Sequence, residues 1–515
     1  MNRRDMLKLS SYAVAAASST ALGEAALAET TRTGNKPIAR WDYIELNLPG
    51  PATRNPFIEV TFSATFRFEH REITVDGFYD GEGAYKARFM PDALGAWAWT
   101  TASNSAALNG RTGAFECVAP EAGNLGPVSV RDGFHFGYAD GTPFVECGTT
   151  CYAWAFQAEE TQRQTIDTLA KSPFNKIRMC LFPKWYQHNR KEPPMYPFPR
   201  SGETNDYSTF NPAYFQHLDR LILELRRIGV QADLILFHPY DKWGYQSMPS
   251  EVDDRYLRYV IARFSAFRNV WWSLANEYDL LKKKTNTDWD RFARIIEEKD
   301  AFDHMRSIHY CFHQYEYGRG WCTHAGVQDS RMDRAAGWRA DWGKPVVFDE
   351  CKYEGNIASR WGNISGDAMT RRFWIAAAQG TYCGHGETFL SLEDRLWWSH
   401  GGVLHGSSPA KIALLRKLLE ETIAVGPGPI GFNAIADDPV GGRRPNGSVT
   451  FFYFDEHQPA EGTYALPEGR TFTAEYIDTV TLVRTPIPGE FTGTAEVKLP
   501  GTPWGSLWFR EKGVA

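Results

Sequence analysis

The sequence lacks both a basic tract and a cysteine pattern that would bind a metal. Its 56 Lys and Arg are outnumbered by 62 Asp and Glu, which gives a formal net charge of -6. Nucleic acids and anionic membranes attract proteins with an excess of cations, so neither is expected as a partner. Cys147 and Cys151 have no matching second pair, and we predict neither a metal nor another cofactor.

The N-terminus also lacks an apolar run long enough to span a membrane, because its Ala-rich stretch is short and is interrupted by Ser and by Glu24. Segment 2–8 (NRRDMLK) resembles a twin-arginine export motif, and the tripeptide that ends at Ala28 suits a signal peptidase. We therefore expect a twin-arginine-type signal peptide over residues 1–28 and a periplasmic or secreted bacterial protein.

The eight cysteines of an exported chain would permit disulfides. Most of them lie in apolar, strand-like runs, where cysteine behaves as a small hydrophobe. The twin-arginine resemblance implies export of a chain that has already folded in the reducing cytoplasm. The sequence leaves disulfide pairing open, and it does not indicate an oligomeric state.

A length of 515 residues favours two or three domains. Residues 37–120 show short alternating runs separated by turns, which predicts an N-terminal β-sandwich. After a Pro- and Gly-rich linker, residues 128–425 alternate eight strands with helices, and residues 426–515 return to strands alone, a second β-sandwich. The predicted fold class is α/β, a (β/α)8 TIM barrel with a β-sandwich domain on each side of it in the sequence.

Two predicted barrel strands each end in a glutamate. The run 270–278 (VWWSLANEY) delivers Asn276 and Glu277, and the run 344–351 (KPVVFDEC) delivers Glu350. A carboxyl pair at the strand ends of a barrel is the arrangement that cleaves a glycosidic bond. Asp349 alternates to the other face of its strand, so only one of the two neighbours can point into the barrel mouth, and we expect Glu350.

These residues resemble clan A of the glycoside hydrolases, the (β/α)8 superfamily that includes the family-five cellulases and mannanases. The resemblance covers the middle three-fifths of the chain. It implies Glu277 as general acid/base, Glu350 as nucleophile, and Asn276 as the partner of the sugar 2-hydroxyl. It also implies that Arg178, within the second strand, keeps Glu350 ionised, because a nearby cation lowers a carboxylate pKa by roughly 1–3 units.

Other strand ends offer candidate substrate-binding residues. His238 ends the third strand and Trp243 follows it; the histidine resembles a substrate-binding residue of the family, although a structural histidine fits equally well. The resemblance implies a histidine or an aromatic residue bonded to Glu350, and after the fifth strand either His313 or Tyr315 would take that place. At the eighth strand we expect His385 in the site. The resemblance also implies an aromatic floor for the sugar there, formed by Trp397 or Trp398, although packing explains that Trp pair equally well.

The sequence thus predicts a retaining glycoside hydrolase that acts on poly- or oligosaccharides. The long aromatic loop over residues 183–211 would form a wall of the site, which favours release of terminal sugars from plant or environmental glycans. An endo-acting glucanase or mannanase, a transglycosylase and an inactive glycan-binding barrel remain alternatives. The sequence does not identify the sugar or the linkage.

Overall fold

The computed structural model describes residues 37–391, 395–423 and 431–513. The predicted signal peptide lies outside these ranges. The chain divides into two compact units, one ending at Glu121 and the other beginning at Ala122. No helix in the described ranges combines the length and the hydropathy that crossing a membrane requires.

The first unit is built of two antiparallel-rich sheets. Their orders are β1-β8-β7-β3-β4 and β2-β6-β5. Phe66 of one sheet stacks on Phe89 of the other with ring centroids 4.1 Å apart, so aromatic side chains form the core between them. The elements are β1 (Ile38–Ala39), β2 (Ile44–Pro49), α1 (Pro56–Glu59), β3 (Phe62–Phe68), β4 (Arg71–Asp76), β5 (Phe78–Tyr79), β6 (Ala84–Phe89), β7 (Gly95–Ser103) and β8 (Thr112–Val118).

The second unit opens with a small sheet that covers the lower end of a barrel. This sheet consists of β9 (Val128–Arg131), β10 (His135–Tyr138) and β11 (Pro143–Phe144), in the order β11-β10-β9. Phe136 and Phe144 pack against Trp271 of the barrel, with ring centroids 5.1 and 6.1 Å away. The predicted first barrel strand, 144–150, is therefore two strands, because Phe144 belongs to this lower sheet.

Eight parallel strands form the barrel, which confirms the predicted (β/α)8 fold. They are β12 (Gly148–Thr150), β13 (Lys176–Cys180), β16 (Gln231–Phe237), β17 (Val270–Ala275), β18 (Arg306–Ser307), β19 (Ala325–Gln328), β20 (Val346–Glu350) and β22 (Tyr382–His385). The order is β18-β17-β16-β13-β12-β22-β20-β19. A parallel bridge between His309 and Gly326 joins the two ends of this order and closes the barrel.

Helices alternate with the barrel strands because each carries an apolar face toward the sheet. In the second of them, Leu218, Leu221, Ile222 and Leu225 are buried. Thr285 and Asp288 form a capping box at the start of the fourth. The helices are α2 (Glu159–Leu169), α3 (Pro212–Arg227), α4 (Ser250–Phe264), α5 (Asn286–Lys299), α6 (Ala335–Trp342), α7 (Gly366–Ala378), α8 (Trp397–His400) and α9 (Ser408–Ile423).

Short strand pairs in the loops of the barrel complete its upper rim. They are β14 (Arg200–Ser201) with β15 (Thr204–Asn205), and β21 (Glu354–Gly355) with β23 (Glu387–Thr388). The first pair lies in the long loop that the sequence singled out. The second pair joins the loops that follow the seventh and eighth barrel strands.

The C-terminal part of the second unit is rich in β-structure. Trp374 of α7 stacks on Tyr453 at 5.3 Å, so an aromatic contact joins this region to the barrel. Six strands form one sheet, in the order β24-β25-β26-β31-β28-β29, and β27 pairs with β30. The strands are β24 (Asn433–Asp437), β25 (Val440–Arg443), β26 (Val449–Tyr453), β27 (Glu461–Ala465), β28 (Phe472–Asp478), β29 (Val483–Phe491), β30 (Thr494–Lys498) and β31 (Gly505–Glu511).

Candidate active site

Glu277 lies at the end of β17, where the chain turns sharply out of the barrel. Its φ is 52°, in the left-handed region that few residues with a side chain adopt. Such a conformation at a strand end is typical of a functional position. The Tyr240 hydroxyl donates a hydrogen bond to Oε2 of Glu277, and Nε2 of Gln328 donates to Oε1 over 3.3 Å. The carboxylate is thus held from both sides.

Glu350 is the last residue of β20 and opens into the barrel mouth. Nη1 of Arg178 lies 3.6 Å from Oε1, and Nε2 of His309 lies 3.9 Å from the same oxygen. Both contacts are longer than hydrogen bonds. Burial raises the pKa of Glu350 to about 8, and the neighbouring Tyr353 hydroxyl opposes that rise. The side chain is only 13% exposed, so desolvation of the charged form is the dominant effect. The expectation that Arg178 lowers the pKa of Glu350 and keeps it ionised was therefore wrong, because burial outweighs a cation that is 3.6 Å away.

His309 connects the two glutamates. Its Nδ1 accepts a hydrogen bond from the backbone N–H of Glu277 over 3.4 Å, while Nε2 faces Glu350. Burial lowers the pKa of His309 well below its usual value, and Arg178 adds to this effect. The imidazole is therefore neutral, and because Nδ1 is an acceptor, its proton resides on Nε2 and points toward Glu350.

Asn276 and Arg178 lie side by side close to the two glutamates. Oδ1 of Asn276 accepts hydrogen bonds from the Tyr152 hydroxyl over 2.9 Å and from Nη2 of Arg178 over 3.3 Å. With its carbonyl oxygen occupied in this way, the side-chain amide N–H₂ of Asn276 is the part left to donate to a ligand. Both residues are buried, as their positions within or just after a strand predict.

A set of buried charges fills the barrel below this site. Nζ of Lys176 lies 3.2 Å from both Glu146 and Asp349 and 3.6 Å from Asp233. Arg178 approaches Asp233 and Asp349 through Nε at 3.7 Å. Burial would raise the pKa of Asp349, but Lys176 and Arg178 lower it below the ordinary value.

The expectation that Asp349 and Glu350 face opposite sides of their strand was wrong. Arg178 contacts both, Asp349 through Nε and Glu350 through Nη1. Because β20 ends at Glu350, the regular alternation of side chains no longer holds there. Asp349 stays buried among the interior charges, and only Glu350 reaches the cavity, as expected.

The two glutamates share one cavity of about 720 Å³. A volume of this size holds a small ligand, and aromatic walls suit the apolar faces of sugar rings. Its aromatic lining comprises Tyr152, Tyr186, Tyr240, Phe312, Tyr353, Trp361 and Trp398. Its polar lining includes Lys184, Gln187, His188, Asn276, Gln328, Asp329, Ser330 and Lys352, in addition to Glu277 and Glu350.

Two predicted binding residues on the third strand and its loop lie outside this cavity. His238 is buried, and its Nε2 contacts the carbonyl oxygen of Phe182 at 3.2 Å, which makes it the structural histidine of the two alternatives. Nε1 of Trp243 donates to Glu192 over 2.9 Å, and Trp243 lines a separate surface depression. Tyr240, between them in sequence, is the residue that reaches Glu277.

Neither candidate proposed to follow the fifth strand bonds to Glu350. The predicted strand over 306–312 ends at Ser307, and the Asp279 carboxylate then accepts the backbone N–H groups of residues 311, 312 and 313. His313 is exposed, and Tyr315 is buried against Tyr278 with ring centroids 5.1 Å apart. His309 takes the position beside Glu350 instead.

The residues expected at the eighth strand also face away from the cavity. Thr149 holds both of them: its Oγ1 lies 3.0 Å from Nδ1 of His385 and accepts a 2.8 Å hydrogen bond from Nε1 of Trp397. His385 stacks on Phe174 at 4.4 Å. Of the Trp pair, Trp398 lines the cavity, so Trp398 rather than Trp397 has the position expected of a floor for the sugar.

One buried group in the described ranges has ligand atoms close enough for a metal: Glu354, His385 and Glu387, within 4.8 Å of one another. All four carboxylate oxygens accept backbone N–H groups from residues 405–408, at the start of α9. A helix N-terminus stabilises negative charge without a metal. This group lies apart from the cavity, and it anchors the loop that leads into α9.

A closed (β/α)8 barrel with two glutamates at the ends of its fourth and seventh strands defines a glycoside hydrolase scaffold. The comparisons with known proteins agree. Residues 131–388 match the family described as apiosidase-like, catalytic domain. Residues 37–104 and 437–509 match two domains of unknown function, DUF5060 and DUF5605.

A solved structure from Bacteroides vulgatus, assigned as a glycoside hydrolase, is 34% identical and superposes with a TM-score of 0.88; the match covers 93% of this chain and 100% of that one. A family-5 glycoside hydrolase from Bacteroides vulgatus shares the fold at 14% identity, with a TM-score of 0.57 over 76% of this chain and 95% of that one. None of the curated proteins matches the sequence. The chain belongs to the apiosidase-like family, and it is a glycoside hydrolase with a family-5-like barrel.

Proposed function

We propose that the protein is a retaining glycoside hydrolase in which Glu277 is the general acid/base and Glu350 the nucleophile. The observation that carries this proposal is that both carboxylates open into one aromatic-walled cavity. Their surroundings differ in a way that suits two roles. Glu277 is held by the neutral donors Tyr240 and Gln328, whereas Glu350 faces the cation Arg178.

In the first step, protonated Glu277 donates its proton to the glycosidic oxygen as the bond to the anomeric carbon breaks. Glu350 attacks that carbon and forms a covalent glycosyl-enzyme. In the second step, Glu277 removes a proton from water, the water oxygen attacks the anomeric carbon, and Glu350 leaves as a carboxylate. Two inversions at one carbon give net retention. Such a mechanism requires the two carboxyl groups about 5–5.5 Å apart.

Arg178 and His309 would stabilise Glu350 in its ionised, attacking form. Both present N–H groups toward Oε1 at distances that a small movement would shorten to hydrogen bonds. Asn276 would donate its amide N–H₂ to the hydroxyl group next to the anomeric carbon. This assignment follows the family resemblance, and the occupied carbonyl oxygen of Asn276 supports it.

We further propose that the enzyme is exported and removes terminal sugars from plant or environmental glycans. Tyr186, Gln187 and His188 of the long loop after β13 line the cavity, and Trp361 and Trp398 approach each other with ring centroids 4.9 Å apart. A wall on this side favours a chain end over a continuous polysaccharide. Export rests on the sequence of residues 2–28 alone.

The test is hydrolysis of a panel of aryl glycosides, with pyranosides, furanosides and an apioside, by wild type and by Glu277→Ala and Glu350→Ala. Both variants should lose activity. Azide should rescue Glu277→Ala with retained configuration and Glu350→Ala with inverted configuration. The opposite pair of configurations would exchange the two roles. An inverted product from the wild type would overturn the retaining mechanism.

The same panel separates the rival activities. Chain-end products from a polysaccharide would support exo action, and internal fragments would identify an endo-acting enzyme. New glycosides formed with added acceptor sugars would identify a transglycosylase. Binding without turnover on every substrate would favour a glycan-binding barrel.

A further inference from the structure

Lys184 has an unusual environment for a lysine. It follows β13, and its carbonyl oxygen accepts a 2.7 Å hydrogen bond from Nδ2 of Asn189, which fixes the backbone. The residue is only 2% exposed, yet it lines the cavity that Glu277 and Glu350 share. A lysine this deeply buried normally has an acidic partner, because an unpaired buried charge is costly.

Four aromatic rings surround the ammonium group instead. Nζ lies 3.4 Å from the ring centroid of Tyr152, 4.4 Å from that of Tyr240, 4.7 Å from that of Tyr186 and 5.4 Å from that of Trp398. Each of these distances is within the range of a cation–π interaction. All four rings also line the cavity, so the charge sits in an aromatic cage at the substrate site.

The other buried lysines in the described part of the chain have the acidic partner that Lys184 lacks. Lys176 lies 3.2 Å from Glu146 and from Asp349. Lys284 sits over the Phe237 ring at 4.7 Å, much as Lys184 sits over its rings, yet it also pairs with Asp253 at 2.6 Å. Lys184 forms no ion pair or hydrogen bond through Nζ with any residue in the described ranges.

The charge state of Lys184 fits a role in binding. Burial lowers its pKa to about 8, while Cys180 and Glu277 oppose that shift. At neutral pH most of the population therefore remains protonated. The ammonium has three donors and no acceptor to receive them from within the protein, and it faces a cavity large enough for a sugar.

We propose that Lys184 binds an anionic substituent, a carboxylate or a sulfate ester, on the sugar that enters this cavity. This inference rests on the proposed function only in taking the ligand to be a sugar. Tyr240 contributes a ring to the cage and a hydroxyl to Glu277, so the anionic sugar would lie beside Glu277. The aromatic rings would hold its apolar face while the ammonium neutralises its charge.

The experiment measures binding rather than turnover. D-glucuronate, D-galacturonate and glucose 6-sulfate are titrated into the full-length protein by NMR or calorimetry, each beside its neutral counterpart, D-glucose or D-galactose. The variants are Lys184→Met, which keeps the length of the side chain, and Lys171→Met. Lys171 is exposed and does not line the cavity, so its variant removes an equal charge without touching the site.

We expect at least one anionic sugar to bind more tightly than its neutral counterpart, and Lys184→Met to weaken that sugar about 10- to 100-fold, as loss of a charged hydrogen bond does. Lys171→Met should change its binding less than threefold, a margin well inside that loss. Preference for the uronates identifies a carboxylate site, and preference for the sulfate identifies a sulfate site.

Two results would overturn the proposal: no preference for any of the three anions, or an equal loss of neutral and anionic sugars in Lys184→Met. If Lys184→Met does not fold, the pH dependence of binding to the Glu350→Gln protein tests the proposal instead. This substitution removes the titration of Glu350, whose pKa is also about 8. The preference of the Glu350→Gln protein for the anion should fall as pH rises through about 8, where Lys184 loses its proton, and a preference that stays constant to pH 10 would also refute the site. Because none of these measurements needs turnover, their failure is distinct from failure of the proposed hydrolase mechanism.

Discussion

The Tyr240 hydroxyl donates a hydrogen bond to Oε2 of Glu277, and this contact joins the ends of the third and fourth barrel strands. Burial is the main reason why the pKa of Tyr240 is raised, and Glu277 adds to the shift, so the phenol remains a donor at all working pH values. A carboxylate that accepts such a bond is held in one orientation toward the cavity.

Replacing Tyr240 with Phe removes this donor and keeps the ring. We expect kcat/KM to fall about 10- to 100-fold on the best substrate of the panel, because Glu277 loses its orientation and one hydrogen bond. Tyr315→Phe is the matched control, since Tyr315 is buried outside the cavity, and its kcat/KM should stay within about twofold. Equal losses in the two variants would refute a specific role for Tyr240.

The rate should depend on pH through Glu350. The nucleophile attacks only when it is ionised, and burial raises its pKa to about 8. Because the mechanism also needs Glu277 in its protonated form, kcat/KM should rise with pH as Glu350 ionises and fall again as Glu277 loses its proton, which gives a bell-shaped profile. Since the Tyr353 hydroxyl lowers this pKa, Tyr353→Phe should move the midpoint of the rise to higher pH. A midpoint near pH 4 in both proteins would contradict the prediction.

Two histidines close in sequence should respond differently to removal. His309→Ala deletes the N–H that faces Glu350 at 3.9 Å and should lower kcat about 10- to 1000-fold, as loss of a group that stabilises developing charge does. His313 is exposed, so His313→Ala should leave kcat and KM almost unchanged. Steady-state kinetics on purified, folded variants decides the point, and a loss of kcat in His313→Ala as large as that in His309→Ala would contradict a specific role for His309.

Substitution of a buried charge inside the barrel should lower the free energy of unfolding more than substitution of an exposed charge does. Lys176→Met leaves Glu146, Asp233 and Asp349 without their shared cation, and it should lower the free energy of unfolding by about 3–5 kcal/mol. Lys512 forms an exposed ion pair with Glu490, and Lys512→Met should cost no more than about 1 kcal/mol. Urea denaturation followed by tryptophan fluorescence measures both, and similar losses would argue against a cooperative buried network.

The strand ends were predictable because they depend on local pattern. An apolar run that stops at a polar residue marks the end of a buried parallel strand, and Asn276, Glu277 and Glu350 were found in this way. Arg178 lies within its strand and was found from the family resemblance. All four lie within or directly after β13, β17 and β20. The closed barrel followed from the count of strand and helix alternations, although β11 and β12 were read as one strand.

The loop residues were not predictable by the same means. Tyr240, Lys184 and Tyr186 lie beyond strand ends, where the chain follows no period and its path depends on contacts with distant residues. Asp279 shows the effect: its carboxylate binds three consecutive backbone N–H groups of the next loop and places His313 outside the site. His309 carried a usable signal, because it lies two residues after a strand that pairs beside β17.

The predictions that placed His385 and Trp397 in the site were wrong for a reason that strand geometry could have revealed. His385 pairs with Thr149 across neighbouring strands, and paired residues share one face of a sheet. Gly148, adjacent to Thr149, faces the interior beside Glu146 and Lys176. Thr149 and His385 must therefore face the helices, and a residue that bonds to Thr149, as Trp397 does, lies on that side as well.

The charges beneath Glu350 also constrain how this family can diverge. Two cations, Lys176 and Arg178, serve the three carboxylates of Glu146, Asp233 and Asp349, so loss of either cation leaves three buried carboxylates with one positive charge. Single substitutions that remove a cation should therefore be rare among relatives of the enzyme. A relative that lacks Lys176 or Arg178 should also have lost at least one of the carboxylates, and that correlation would be visible in an alignment.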